Sequence, residues 1–192
     1  MNSGSYDKED LIARTAKGLR TLAGQIERGK LSDTFEHVIP MADIGTERME
    51  GHCKAIAARF PSKSLAVYSL SFDEAVPLQR VYDVVDGNRS ANLTKPVEER
   101  TAFARVNKRD GKENRCLYVG KSEKVALRLK EHLTKANRAT YAIHMNRWPS
   151  DIPGSLIVRV IEVADIKRSL LPFLEDQLAG EMQPILGRRG SA

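Results

Sequence analysis

The apolar residues of this chain change their period at Pro61, and that switch constrains the fold more than any other feature. Upstream, Leu11, Ile12, Ala16, Leu19, Leu22, Ala23 and Ile26 recur at helical spacing, as do Met49, Cys53, Ile56, Ala57 and Phe60. The spacing predicts helices over 7–29, closing at Gly29, and over 46–60, stopped by Pro61. Together they read as a helical hairpin leading into the rest of the chain. Downstream, 64–72 (SLAVYSLSF) alternates bulky and small residues as a strand does, and 101–107 with 115–119 reads as a hairpin around Asp110-Gly111. Between them, 73–100 is a weakly patterned insertion with Pro77, Asp86-Gly87 and Pro96, read as part helix and part loop. Helical periodicity returns over 122–136, where Ser122 is the expected N-cap and Val125, Leu129, Leu133 and Ala136 form the stripe. The remainder reads as a short helix over 141–148, a strand over 155–163 and a final helix over 169–182 with Pro172 in its first turn.

A chain of 192 residues, 41% apolar and 29% charged, is long enough for one domain with an appendage. It has no run of about 18 apolar residues and no basic-then-apolar order at its start, so the expectation is a cytoplasmic protein without a membrane partner. Cys53 and Cys116 belong to no CxxC or Cys/His pattern, which argues against a zinc site and a disulfide framework and for two buried thiols. The net charge of +6 is unevenly placed. Residues 1–60 balance nine Lys/Arg against nine Asp/Glu, whereas 101–148 carries twelve basic and four acidic residues. That concentration is the footprint of a phosphate-backbone partner, or of a solvated basic face.

The chemistry-bearing residues lie in the second half. Gly120-Lys121-Ser122 ahead of a helix suggests a phosphate loop, but a P-loop needs a glycine where Arg115 stands. What remains is a turn whose N–H groups can hold a backbone phosphate. Arg128 and His132, four residues apart, share one helix face at the rim of the apolar stripe. A rigid guanidinium beside a phenol suits a pentacovalent phosphate, while a nearby base takes a proton from water. Taken singly, Arg128 is equally an exposed helix charge and His132 a core-edge cap. Glu175 sits beside the Leu171/Leu174/Leu178/Met182 face of the last helix, where a lone carboxylate serves either as a Mg²⁺ ligand or as a salt-bridge partner.

Taken together, these residues make the chain resemble the GIY-YIG nuclease superfamily over roughly residues 64–190. Tyr118-Val119-Gly120 is similar to the second half of that family's name motif. Arg128 and His132 fall at its arginine and following histidine, and Glu175 with Gln183-Pro184-Ile185-Leu186-Gly187 at its metal-binding glutamate and C-terminal element. Leu65-Ala66-Val67-Tyr68 is similar to the first half-motif without its glycine, and stands 50 residues before Tyr118. Ala102-Phe103-Ala104 has better hairpin spacing but no hydroxyl, so Tyr68 is preferred. Gly187 replaces an asparagine found in many relatives.

The resemblance implies an α+β fold, with a small antiparallel three- to four-stranded sheet flanked by helices. An N-terminal helical extension over 1–62 would precede a nuclease domain over 63–192, with its insertion at about 73–100. It implies a metal-dependent endonuclease acting on DNA, RNA remaining open. Water would be activated by Tyr118 or His132, Arg128 would stabilise developing charge, Tyr68 would orient water or phosphate, and Glu175 would hold one Mg²⁺ or Mn²⁺. Gly120, Lys121, Ser122 and Lys124 are the expected substrate contacts. The competing expectation is a catalytically silent nucleic-acid-binding or protein-interaction module of the same fold. Monomer and homodimer are both open.

Overall fold

Strand β3 (Ala66–Phe72) is buried along its whole length, and the rest of the chain is arranged around it. The computed structural model describes residues 8–61, 63–108, 114–134 and 136–187. On one side β3 pairs antiparallel with β5 (Ser155–Ala164), on the other with β4 (Cys116–Ser122). Alternate residues therefore face two separate apolar layers. Ala66, Tyr68, Leu70 and Phe72 enter the main core, beneath α2 (Arg48–Arg59), α3 (Leu78–Leu93) and α4 (Val125–Leu133). Val67 faces a second cluster with Val163 and Leu171, where α5 (Leu171–Met182) packs on β3 and β4. The small Ser69 and Ser71 that gave the strand its alternation are buried as well.

The protein is α+β with a five-stranded antiparallel sheet flanked by helices, not a sheet of three or four strands. The additional strands come from the segment expected to be a helical hairpin. After α1 (Lys8–Glu27), β1 (Lys30–Leu31) and β2 (Phe35–Pro40) both pair with β5. Residues 30–40 are thus woven into the sheet, and α2, beyond them, packs on α4. Strand β2 escapes a periodicity reading because only Ile39 on it is buried. The apolar stripe of α1 exists but is largely uncovered, with Ile12 70% and Leu19 58% exposed.

The expected hairpin of 101–107 with 115–119 does not form; its Asp110-Gly111 turn lies outside the described residues. Instead the free edge of β4 is taken by a segment 69 residues later. Ile185 and Leu186 donate their N–H groups to the carbonyls of Cys116 and Leu117, each at 2.8 Å. The 101–107 segment pairs outside that segment: Asn107 N–H donates to Ile185 O at 3.0 Å, and Gly187 N–H donates to Arg105 O at 2.7 Å. The buried Asn107 side chain also donates to Pro184 O at 2.7 Å. A strand edge accepts any extended segment that brings matching donors, and local sequence does not reveal which one arrives.

Other expectations hold in part, and three fail. The insertion forms α3, which belongs to the core through Val81 and Val85. Gly120-Lys121-Ser122 is the end of β4 rather than a turn, and Ser122 caps nothing in α4; its hydroxyl accepts the Lys124 N–H at 2.9 Å. The expected helix over 141–148 shrinks to a 3-10 turn, Met145–Arg147. Pro172 sits in the first turn of α5, where its missing N–H is harmless. Both cysteines are free and buried, and burial pushes the Cys116 thiol up to about 12. Among the described residues no helix is long and apolar enough to cross a membrane.

Candidate functional site

The site begins with a register. Tyr68 on β3 lies opposite Gly120 on β4, and Tyr118, two residues before Gly120, points to the same face of the sheet. The two phenol rings close over the glycine. A Cβ on Gly120 would stand 2.5 Å from the Tyr68 hydroxyl oxygen, 2.6 Å from Tyr68 Cζ and 2.7 Å from Tyr118 Cε1. The ring centroids of Tyr68 and Tyr118 are 6.2 Å apart with planes inclined by 30°. Gly187 lies against Tyr118, with φ +96° and a hypothetical Cβ 2.9 Å from Cε2. Glycine at 187 is therefore required twice over, by its left-handed backbone and by the ring beside it.

Helix α4 buries Val125, Leu129 and Leu133, and this seating places its two candidate side chains, Arg128 and His132. His132 is fully buried, and its ring centroid is 4.6 Å from that of Tyr118. Its Nδ1 accepts the Ile143 N–H at 3.2 Å, and its Nε2 lies 2.9 Å from the Tyr68 hydroxyl oxygen. Because a backbone N–H can only donate, Nδ1 is unprotonated. Burial, reinforced by the charges of Arg128 and His144, holds the His132 pKa well below its ordinary value, so the ring is neutral. The single ring proton then sits on Nε2 and donates to Tyr68, which keeps its own hydroxyl proton for another acceptor.

Arg128 is half-buried beside this network. It donates to Glu131 Oε2 at 2.7 Å and to the Tyr141 carbonyl. Burial raises the Tyr118 pKa, and the adjacent Arg128 guanidinium opposes that rise. Tyr68 is raised well above the ordinary tyrosine value by burial and by Tyr118, with Arg128 again opposing. Both phenols are protonated at neutral pH. Arg128 is the group that would ease either one toward phenolate.

Glu175 comes from α5 on the other face and is buried. Its Oε2 is paired with Lys121 Nζ, so in this state it fulfils the salt-bridge alternative. Among the described residues no three His, Cys, Asp or Glu side chains converge as a metal cage. A lone carboxylate is the least that a hard divalent cation takes from a protein, and here one of its oxygens is held by Lys121.

The structure divides the expected site residues into two groups. Tyr68, Tyr118, His132 and Gly120 form the buried network. Lys121, Ser122, Lys124 and Arg128 line an open groove of about 820 Å³, joined there by Arg168 and by Glu123 and Glu131. Arg128 belongs to both, and Glu175 reaches the groove through Lys121. Sequence reading also missed a second polar chain: Asp43 Oδ2 lies 3.1 Å from His52 Nε2, and His52 Nδ1 lies 2.9 Å from His37 Nε2. Spacing carries no signal for it, since β2 and α2 meet only in the fold. Compared with known protein families, curated proteins and solved structures, the chain matches none of them.

Proposed function

We propose that the protein is a metal-dependent endonuclease of GIY-YIG type that hydrolyses DNA phosphodiester bonds. The observation that carries this reading is the convergence of Tyr68, Tyr118, Arg128 and His132 on one rigid cluster, built from residues separated by up to 64 positions. Arg128 stabilises the charge that builds on the non-bridging oxygens and, through the same charge, favours ionisation of Tyr118. In its phenolate form, with its own proton released to solvent at this half-buried position, Tyr118 then accepts the proton of the attacking water. What favours Tyr118 over His132 as that base is that both ring nitrogens of His132 are already occupied and its ring is fully buried. His132 fixes the Tyr68 hydroxyl, and Tyr68 orients water or phosphate. Glu175 would hold the metal once Lys121 left the carboxylate, and Lys121 would then join Lys124 on the substrate backbone. When bound there, Mg²⁺ or Mn²⁺ would supply Lewis-acid polarisation of the phosphate and support for the departing 3′ oxygen.

The second reading, a catalytically silent nucleic-acid-binding module, draws on one observation: the Lys121–Glu175 ion pair occupies the carboxylate that a metal would need. One experiment separates the two. Duplex, single-stranded, flapped and branched DNAs are incubated with the protein and Mg²⁺ or Mn²⁺, beside Glu175→Ala and Arg128→Ala. Cleavage by wild type that falls about 10²–10³-fold on removing Arg128 supports the nuclease. No cleavage with either metal, together with salt-dependent binding that survives Glu175→Ala, overturns it in favour of the binding module.

A further inference from the structure

A second cavity, of about 350 Å³, opens between α3, the 101–106 segment and the 142–148 loop. Its walls are apolar and aromatic, with Phe103, Trp148 and Leu186 among them. They are also held firmly in place. Asn92 on α3 donates to Thr101 O at 2.9 Å and accepts the Thr101 N–H at 2.8 Å, which ties the two sides together. Arg147 donates to Thr101 Oγ1 at 2.8 Å and lies 5.3 Å over the Phe103 ring.

Arg89 and Arg105, which line the cavity themselves, differ from Arg147. Both are exposed, and among the described residues neither guanidinium has a hydrogen-bond or ion-pair partner. An aromatic, preformed cavity at the lower end of the small-molecule size range, with two exposed guanidinium groups on its lining that have no protein partner among the described residues, suits a flat apolar body carrying an anion. We propose that this cavity binds a mononucleotide unit, its base against Phe103 and Trp148 and its phosphate on Arg89 and Arg105. Two sources supply that chemistry, a free nucleotide or a nucleotide displaced from a strand.

The cavity stands apart from phosphodiester cleavage and would bind even in a chain that cleaves nothing. It nevertheless touches the tyrosine network. Leu186 lines the cavity and bridges to Tyr118, and Ile143 lines it and donates its N–H to His132.

Trp148 is the sole tryptophan of the chain and is 5% exposed, so its fluorescence reports on this cavity directly. The full chain is titrated, in chelator to exclude metal, with AMP, adenosine, inorganic phosphate and a short single-stranded oligonucleotide. Wild type is compared with Arg89→Ala/Arg105→Ala, whose exposed positions leave the core intact, and with Phe103→Ala. The expected result is a saturable change with AMP or the oligonucleotide. Binding is at least about tenfold weaker for adenosine, for phosphate and for the double-arginine variant, since a pair of charge-assisted contacts carries at least that much. AMP stronger than the oligonucleotide assigns the free nucleotide, and the reverse order assigns a strand. The proposal is overturned if adenosine or phosphate binds as tightly as AMP, or if the double-arginine variant binds unchanged. It is equally overturned if neither fluorescence nor calorimetry detects any binding at millimolar nucleotide.

Discussion

Replacing Gly120 by alanine tests the central geometric relation of this protein, that two phenol rings close over one backbone position. The added Cβ meets the Tyr68 hydroxyl oxygen at 2.5 Å, and that oxygen has to retreat by about 0.9 Å to reach an ordinary 3.4 Å contact. It is also the oxygen held 2.9 Å from His132 Nε2, and a retreat of that size breaks the bond wherever it carries the phenol away from the imidazole. Tyr68, Leu129 and Leu133 are fully buried, so the neighbours have little room to follow. Overpacking costs about 1–3 kcal/mol, and a buried N–H left without an acceptor about 1–3 kcal/mol, giving roughly 2–6 kcal/mol in total. Urea unfolding followed through Trp148 measures this loss. The same substitution made in a Tyr68→Phe background lacks both the hydrogen bond and the clash with the hydroxyl oxygen, leaving only the contacts with the two rings. There the cost of Gly120→Ala is expected to shrink by about 1–3 kcal/mol. A Gly120→Ala protein within about 0.5 kcal/mol of wild type, or an equal cost in both backgrounds, would refute the reasoning.

Three further outcomes follow from the same structure. Gly180→Ala, in α5 with nothing within 4 Å of the added Cβ, is expected to stabilise the protein by about 0.5–1 kcal/mol in the same urea assay; a loss of stability there contradicts the open environment. Tyr68→Phe alone leaves the His132 Nε2–H buried without an acceptor and is expected to cost about 1–3 kcal/mol, and a change below about 0.5 kcal/mol speaks against the tautomer assigned. Stability is expected to fall as pH drops from about 7 toward 5. Burial lowers the pKa of His132, His37 and His144, so below the ordinary histidine value the unfolded chain takes up protons that the native state refuses. Urea midpoints that stay constant over that interval would contradict this.

The legible and illegible parts of the fold divide by sequence distance. Helices α1, α2, α4 and α5 and strands β3 and β5 follow from period, prolines and local apolar stripes. The edge strands β1 and β2 do not, because β1 is two residues long and β2 turns polar His37 inward and apolar Val38 outward, so neither shows an apolar alternation, and β5 rather than local chemistry recruits them. The hairpin expected for 101–107 has good local turn chemistry, yet its partner edge goes to Ile185 and Leu186, whose donors fit the carbonyls of β4. At the site, Arg128 and His132 are readable as one helix face. That His132 holds Tyr68 while Arg128 stands beside Tyr118 is a fact about how α4 sits on the sheet.

What the sequence determined by itself is therefore local: which segments are helical or extended, where the positive charge concentrates, and which side chains are capable of phosphate chemistry. Those properties depend on neighbours within a few residues, where periodicity and backbone sterics act. The tertiary structure alone decided the Tyr68–Gly120 register, the pairing of Glu175 with Lys121 across 54 residues, and the seating of Gly187 against Tyr118. Each arises from burial and edge pairing between segments far apart in the chain. Their contacts are selected by the whole core at once, so no local pattern encodes them.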